Sequence, residues 1–330
     1  MSLVAAARSS DTAFSEIPII DMSLIYTDDS KARLRLAQEV RDACVNVGFF
    51  YVKNHGIPAQ LVENFLNESK AFFAQPEATK MQIENKKSPA FKGYHPALSS
   101  NNDPNNEGDL HEGFEFGYEP MDTQRNTEGL QNGAMAGANV WPSGFPAFRE
   151  AALAYYHASI QFGKALFPLF ALALELPPDF FEDKTRNSAA LMKMLHYPPQ
   201  TGTVDDRVIG IGAHTDWECF TMLWQQPGIQ ALQVLNPDGK WIDAPALPGT
   251  LVINLGDQLA RWTNGIFKST VHRAVNRSGV ERYSSPLFFG TDYDVRLEPI
   301  SSCVSVERPM QYDVVTAGEY VKSKFQQTYG

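Results

Sequence analysis

Apolar residues recur along the first part of the chain at helical and at strand spacing in turn, which predicts alternating helices and short strands. Ile17-Pro18-Ile19-Ile20-Asp21 reads as a short strand or extended entry, because Pro18 has no N–H for a ladder and fits only an edge or a strand start. Leu36, Val40, Ala43 and Val47 fall at helical spacing, with Asp29 or Ser30 placed to cap the helix and Gly48 to stop it. Phe49-Phe50-Tyr51-Val52 reads as a buried strand. Pro58 opens a second helix with Leu61, Phe65 and Phe72 on one face, ending near Pro76.

From 93 to 141 the periodicity breaks down into an Asn/Asp/Gly-rich stretch over 99–106 and a Gly/Ala-rich one ending at Val140. A connection of that length is expected to be a functional lid or partly disordered. Between the two lies His111-Glu112-Gly113-Phe114-Glu115-Phe116-Gly117-Tyr118, whose alternation predicts an ordered strand over the functional region. A third helix is expected over 146–176, kinked at Pro168, stopped by Pro177-Pro178 and apolar enough to pack against a sheet. Short β-type runs then take over, such as 230–235 and 250–255. The turn Asn236-Pro237-Asp238-Gly239 followed by Lys240-Trp241-Ile242 is a hairpin cue. Many short strands at this spacing favour a sandwich, jelly roll or barrel.

A chain of 330 residues can fold as one β-rich unit with helical additions. Its 28 basic and 38 acidic side chains give a net charge of −10, and no Lys/Arg stripe exists for a polyanion to follow, so nucleic acid is not an expected partner. No run approaches the roughly 18 to 20 apolar residues of a membrane span, and 1–15 lacks the apolar core of a signal peptide, so a soluble, cytoplasmic protein is expected. The three cysteines, Cys44, Cys219 and Cys303, are odd in number and far apart, which fits neither a disulfide framework nor a thiolate metal site.

The chemistry concentrates at His214-Thr215-Asp216. On a strand, residues i and i+2 share one face about 6.6 Å apart, so an imidazole and a carboxylate can converge on one ion. A second imidazole must come from a distant strand, and His272 is the best candidate. Two histidines and a carboxylate leave about three positions of an octahedral ion open, which suits non-haem Fe(II). A solitary His-x-Asp tripeptide is as readily a hydrogen-bonded surface pair. The downstream context changes that: ten residues after His272, Arg282 and Ser284 share a strand face and can bind one carboxylate, the guanidinium offering a planar two-pronged match.

In these residues the chain resembles the isopenicillin N synthase-like branch of the 2-oxoglutarate and Fe(II)-dependent dioxygenases. The matching segments are Ile17-Pro18-Ile19-Ile20-Asp21, Gly48-Phe49-Phe50-Tyr51-Val52-Lys53-Asn54-His55-Gly56-Ile57, His196-Tyr197-Pro198-Pro199, His214-Thr215-Asp216, Asn254-Leu255-Gly256-Asp257, Thr263-Asn264-Gly265, His272-Arg273 and Arg282-Tyr283-Ser284. The resemblance implies a mixed α and β fold with a double-stranded β-helix (jelly-roll) core and N-terminal and scaffold helices packed outside it. One catalytic unit would then span 1–330, mainly helical over 1–180 and mainly jelly roll over 181–330. It further implies iron ligation by His214, Asp216 and His272, with the distal carboxylate of 2-oxoglutarate held by Arg282, Ser284 and Tyr197. O2 would be the second cosubstrate.

The implied reaction couples decarboxylation of 2-oxoglutarate to oxidation of a C–H bond in a small molecule, by hydroxylation, desaturation or ring chemistry. A specialised metabolite is the favoured substrate. A nucleobase stays open, because hydroxylases of pyrimidine methyl groups belong to the same branch. So do an oxidase in which the Arg-x-Ser pair binds a carboxylate of the substrate itself, and a non-catalytic ligand-binding jelly roll.

Two departures bear on the pocket: Leu195 stands where many members have asparagine, and Glu218 where glycine is common, so Trp217 and Glu218 are expected to reshape its wall. Lys193, four residues before Tyr197 on one strand face, and Phe114, Phe116, Trp217 and Phe288 are the candidate substrate contacts. His95, His111 and His196 stay open, whereas His55 and His157 are expected to be structural.

Overall fold

The computed structural model describes Leu3 and residues 13–101, 108–121, 137–200 and 209–329. Much of the expected 93–141 connection, 102–107 and 122–136, lies outside the described residues. The larger sheet has eight strands in the order β1 (Ile19–Asp21), β2 (Phe49–Lys53), β10 (Thr250–Leu255), β7 (Phe220–Gln225), β12 (Arg282–Phe289), β5 (Ala190–Tyr197), β4 (Glu112–Gly117) and β3 (Gly93–His95). The smaller sheet is β6 (Ile211–His214), β11 (His272–Ala274), β8 (Leu232–Leu235) and β9 (Trp241–Asp243). A separate pair joins β13 (Arg296–Leu297) to β14 (Val315–Thr316). The pairing of β1 with β2 is parallel, and the ladders of β5 to β12 are antiparallel. Strands β5 to β12 divide four and four between the two sheets, as in a jelly roll, and β1 to β4 extend both edges of the larger one.

The two-residue period of the strands decides what each side chain does. On β10, Leu251, Ile253 and Leu255 join the core under the helices, whereas Val252 and Asn254 face the space between the sheets. On β12, Tyr283, Leu287 and Phe289 are core, and Ser284, Pro286 and Phe288 line that inner space. On β5, Ala190, Met192 and Met194 are core, and Leu191, Lys193, Leu195 and Tyr197 line it.

The helices are α1 (Ser30–Asn46), α2 (Ala59–Phe73), α3 (Glu77–Lys80), α4 (Pro146–Ala173), α5 (Asp257–Trp262) and α6 (Ala317–Tyr329). Asp29 caps α1 by accepting from the Lys31 and Ala32 N–H groups at 2.9 and 3.2 Å, worth about 1 kcal/mol. Gly48, at φ 75°, follows its end, and a Cβ there would collide with the Lys268 carbonyl. Helix α4 runs on through Pro168 and packs against α1 and α2. It ends at Ala173, earlier than the paired prolines suggest, because Glu175 takes a left-handed conformation at φ 60°. The hairpin of β8 and β9 forms at the expected turn, with Gly239 at φ 76° and Asn236 Oδ1 accepting the Lys240 N–H at 2.9 Å. Among the described residues no helix is long and apolar enough to cross a membrane, and all three cysteines are buried and unpaired.

The same alternation corrects one expectation. Phe114 and Phe116 point from β4 into the helical layer, Phe114 edge-on to Phe148 at 4.9 Å and Phe116 edge-on to Phe65 at 5.8 Å. Both are core residues rather than pocket walls, because α2 and α4 need an apolar surface to pack on. Phe114→Ala is therefore expected to cost about 3–5 kcal/mol in urea unfolding while metal affinity of the folded protein stays unchanged.

Candidate active site

Strands β6 and β11 set His214 opposite His272, with ring centroids 4.3 Å apart. Strand β6 ends at His214, so Asp216 arrives from the bend beyond the strand rather than along a strand face. That bend is pinned where the Asp216 carbonyl accepts the Asp257 N–H at 2.8 Å. Asp216 Oδ2 accepts from Asn254 Nδ2 at 2.6 Å and from the Thr221 hydroxyl. Oδ1 is then left 3.6 Å from His214 Nε2 and 3.8 Å from His272 Nε2. The Nδ1 atoms lie 2.7 Å from the Gly212 carbonyl and 3.1 Å from the Thr270 carbonyl. A carbonyl can only accept, so each Nδ1 carries the hydrogen and each Nε2 turns a lone pair toward the shared point. The ligand atoms all lie within 4.8 Å of one another, close enough for bonds of roughly 2 Å to one ion.

Burial opposes the charge on Asp216, but His272, His214 and the Thr221 hydroxyl outweigh it and hold the carboxyl well below the usual range. Burial and then His214 push His272 down to about 4. His214 goes the other way, its burial outweighed by Asp216. A metal ion and a second ring proton compete for the same Nε2 lone pair. Asn254→Ala, which leaves the Thr221 bond in place, is expected to lower Fe(II) affinity about ten- to a hundredfold in a metal titration.

Deeper in the sandwich, Arg282 is 1% exposed and lies over the Tyr197 ring, 4.7 Å from its centre. Its Nη2 donates to Gln225 Oε1 at 3.1 Å, while Nε and Nη1 are buried with no partner among the described residues. The Ser284 hydroxyl is 3.4 Å from the Tyr197 hydroxyl. A buried guanidinium with two idle donors costs several kcal/mol until an anion arrives. The planar fork and the two hydroxyls fit a carboxylate, and the His/Asp/His set fits Fe(II).

Two cavities meet at the triad, both lined by His214, Asp216, Leu195, Ile211 and Phe288. Tyr197, Asn254, His272 and Ser284 line the inner one. The outer, of about 130 Å³, is lined by Phe91, His95, Glu115, Lys193, Trp217 and Phe325 among others. Glu218 also lines it, its Oε2 held by Gln258 at 2.7 Å and its carboxyl pushed by burial up to about 8. The structure thus places Lys193, Trp217 and Phe288 on the cavity wall, along with His95 and His111.

His196 is elsewhere, 2.7 Å from Glu112 and stacked on Tyr283. His55 Nδ1 accepts the Ile57 N–H, and His157 Nε2 lies 2.8 Å from the Glu119 carbonyl. Sequence reasoning passed over Glu115, which faces Lys193 across β4 and β5, and the Phe91–Phe325 pair, edge-on at 4.7 Å.

A family model described as the 2OG-Fe(II) oxygenase superfamily matches residues 188–291, which hold the triad together with Tyr197, Arg282 and Ser284. A second, described as the N-terminal part of non-haem dioxygenases in morphine synthesis, matches 17–144. A 2-oxoglutarate-Fe(II) type oxidoreductase of Emericella nidulans is 36% identical over 319 residues, covering 95% of this chain and 90% of that protein. A crystal structure of a 2OG-Fe(II) oxygenase family protein from Caulobacter crescentus superposes with a TM-score of 0.80 at 31% identity, over 95% of this chain and 99% of that one. A full-length Neurospora crassa protein, crystallised in complex with alpha-KG and thymine, gives 0.82 at 25% identity over 94% and 96%.

Proposed function

Because the chain belongs to the 2OG-Fe(II) oxygenase superfamily and is a 2-oxoglutarate- and Fe(II)-dependent dioxygenase, we propose that His214, Asp216 and His272 hold the iron and that Arg282, Ser284 and Tyr197 hold the far carboxylate of 2-oxoglutarate. The observation that carries this reading is the buried Arg282 guanidinium, two of whose nitrogens have no partner among the described residues, lying over the Tyr197 ring that lines a cavity reaching the triad. The chemistry supplied by the bound groups is O2-dependent decarboxylation to succinate and CO2, coupled to removal of hydrogen from a nearby C–H bond.

The chain's own residues bind and orient. Asn254 and Thr221 tie down one oxygen of Asp216 so that the other faces the iron position. The Gly212 and Thr270 carbonyls fix the two imidazoles in the metal-binding tautomer. Leu223, Leu232 and Pro286 line the inner cavity with apolar surface that excludes water. The outer cavity selects which C–H bond lies nearest the iron. Its size and aromatic walls support a small specialised metabolite, and the thymine complex of the Neurospora crassa relative supports a compact flat one. Three buried, unpaired thiols support a reducing, cytoplasmic setting.

The test is release of labelled CO2 from 1-labelled 2-oxoglutarate. Release that requires Fe(II) and rises when a substrate is added is the expected result. Substrate oxidation with no CO2 release would reassign Arg282 to a carboxylate of the substrate.

A further inference from the structure

Two side chains on the wall of the outer cavity carry hydrogen-bond acceptors that no group among the described residues satisfies. Glu115 is 2% exposed; its Oε2 takes the Lys193 ammonium at 2.7 Å, while Oε1 has no partner. His95 is 8% exposed, and its Nε2 lies 3.6 Å from Glu115 Oε2, beyond hydrogen-bond reach, and also has no partner. Burial keeps this imidazole neutral, and the Phe91 carbonyl takes its one ring hydrogen, so Nε2 presents a lone pair. Each orphaned acceptor costs on the order of 1–3 kcal/mol. Two of them on one cavity wall point to a ligand that donates to both.

Charge narrows the class of ligand. Lys193 neutralises Glu115, and the buried Lys92 lies close enough to Glu115 to feel its charge, so this wall has no surplus negative charge to draw a cation. The same cavity is lined by Phe91, Leu191, Trp217, Phe288 and Phe325, which offer apolar surface to a flat body. Resting on the dioxygenase reading of the site, we propose that the substrate is an uncharged, flat nitrogen heterocycle whose N–H groups, lactam or amino, donate to Glu115 Oε1 and His95 Nε2. These two residues then determine specificity. A purely apolar substrate would leave both acceptors orphaned.

The test uses matched pairs of small flat heterocycles with two N–H donors, benzimidazol-2-one and quinazoline-2,4-dione against their N,N′-dimethyl forms, titrated calorimetrically under argon into protein loaded with Fe(II) and 2-oxoglutarate. The N–H member of each pair is expected to bind about tenfold tighter or more, because a site built to accept a hydrogen bond rejects the analogue that lacks it. In Glu115→Gln, Lys193 keeps the amide oxygen and the amide NH2 takes the place of Oε1, setting donor against donor. The preference should then fall below about threefold. His95→Phe, a ring of similar shape without the acceptor, should lower it as well.

Equal binding of the N–H and N-methyl forms overturns the proposal and leaves a bridging water as the partner of both acceptors. A preference that survives Glu115→Gln, or no binding by any member, overturns it too. 2-Oxoglutarate binding, titrated first in the same samples, separates the two levels: its loss would count against the iron and cosubstrate site, whereas intact binding without discrimination counts against the substrate class alone.

Discussion

Arg282→Ala is expected to weaken 2-oxoglutarate binding about a hundredfold or more while Fe(II) binding stays intact. Truncating one partner of a buried, hydrogen-bonded charge pair costs about 2–5 kcal/mol, and a tenfold change in affinity corresponds to about 1.4 kcal/mol. Nε and Nη1 have no partner among the described residues, and Gln225 holds Nη2 with the planar fork over Tyr197. Arg282→Lys should recover only part of the loss, since an ammonium is a point charge and cannot engage both carboxylate oxygens in the same plane. Calorimetric titration of 2-oxoglutarate into Fe(II)-loaded protein under argon reads both variants. An affinity within threefold of the wild type in Arg282→Ala would place the cosubstrate carboxylate elsewhere.

Asp216→Ala is expected to abolish retention of about one equivalent of Fe(II) after dialysis and to reduce 2-oxoglutarate turnover at least about a thousandfold, because the carboxylate is the one anionic ligand of the three. The same change orphans the Asn254 amide and the Thr221 hydroxyl, so unfolding stability should also fall by about 1–3 kcal/mol. Asp216→Asn keeps the shape and an acceptor toward these neighbours but lacks the charge. It should lose iron while losing less stability. Metal analysis after dialysis, with urea unfolding on the same samples, separates the ligand role from the structural one.

Short strands and turns with their own chemistry, as at Asn236-Pro237-Asp238-Gly239, left a sandwich, jelly roll or barrel open, and the family resemblance narrowed these to the jelly roll. His214, Asp216, His272, Arg282 and Ser284 were legible because each falls in a short motif whose residue types suit the chemistry. What escaped depended on which face of a strand meets which layer. In Gly113-Phe114-Glu115-Phe116-Gly117 the alternation allows either set of residues to face the cavity, and only the helices behind β4 put the phenylalanines in the core and Glu115 on the wall. Asn254 and Thr221 reach one carboxylate oxygen because β10 and β7 pair them in register, a contact that no local pattern announces. Phe91 and Phe325 come from distant parts of the chain and meet only because α6 lies against the cavity. The bend that carries Asp216 beyond β6 is likewise set by a tertiary bond, from the Asp257 N–H.

The most direct test of the site is the visible absorption spectrum of the protein mixed anaerobically with Fe(II) and 2-oxoglutarate. A weak metal-to-ligand charge-transfer band that needs both components is the expected result. It should be absent in Asp216→Ala and appear in Arg282→Ala only at far higher 2-oxoglutarate concentration. Tight Fe(II) binding by the wild type with no such band at saturating 2-oxoglutarate would contradict the assignment of the inner cavity as its binding site.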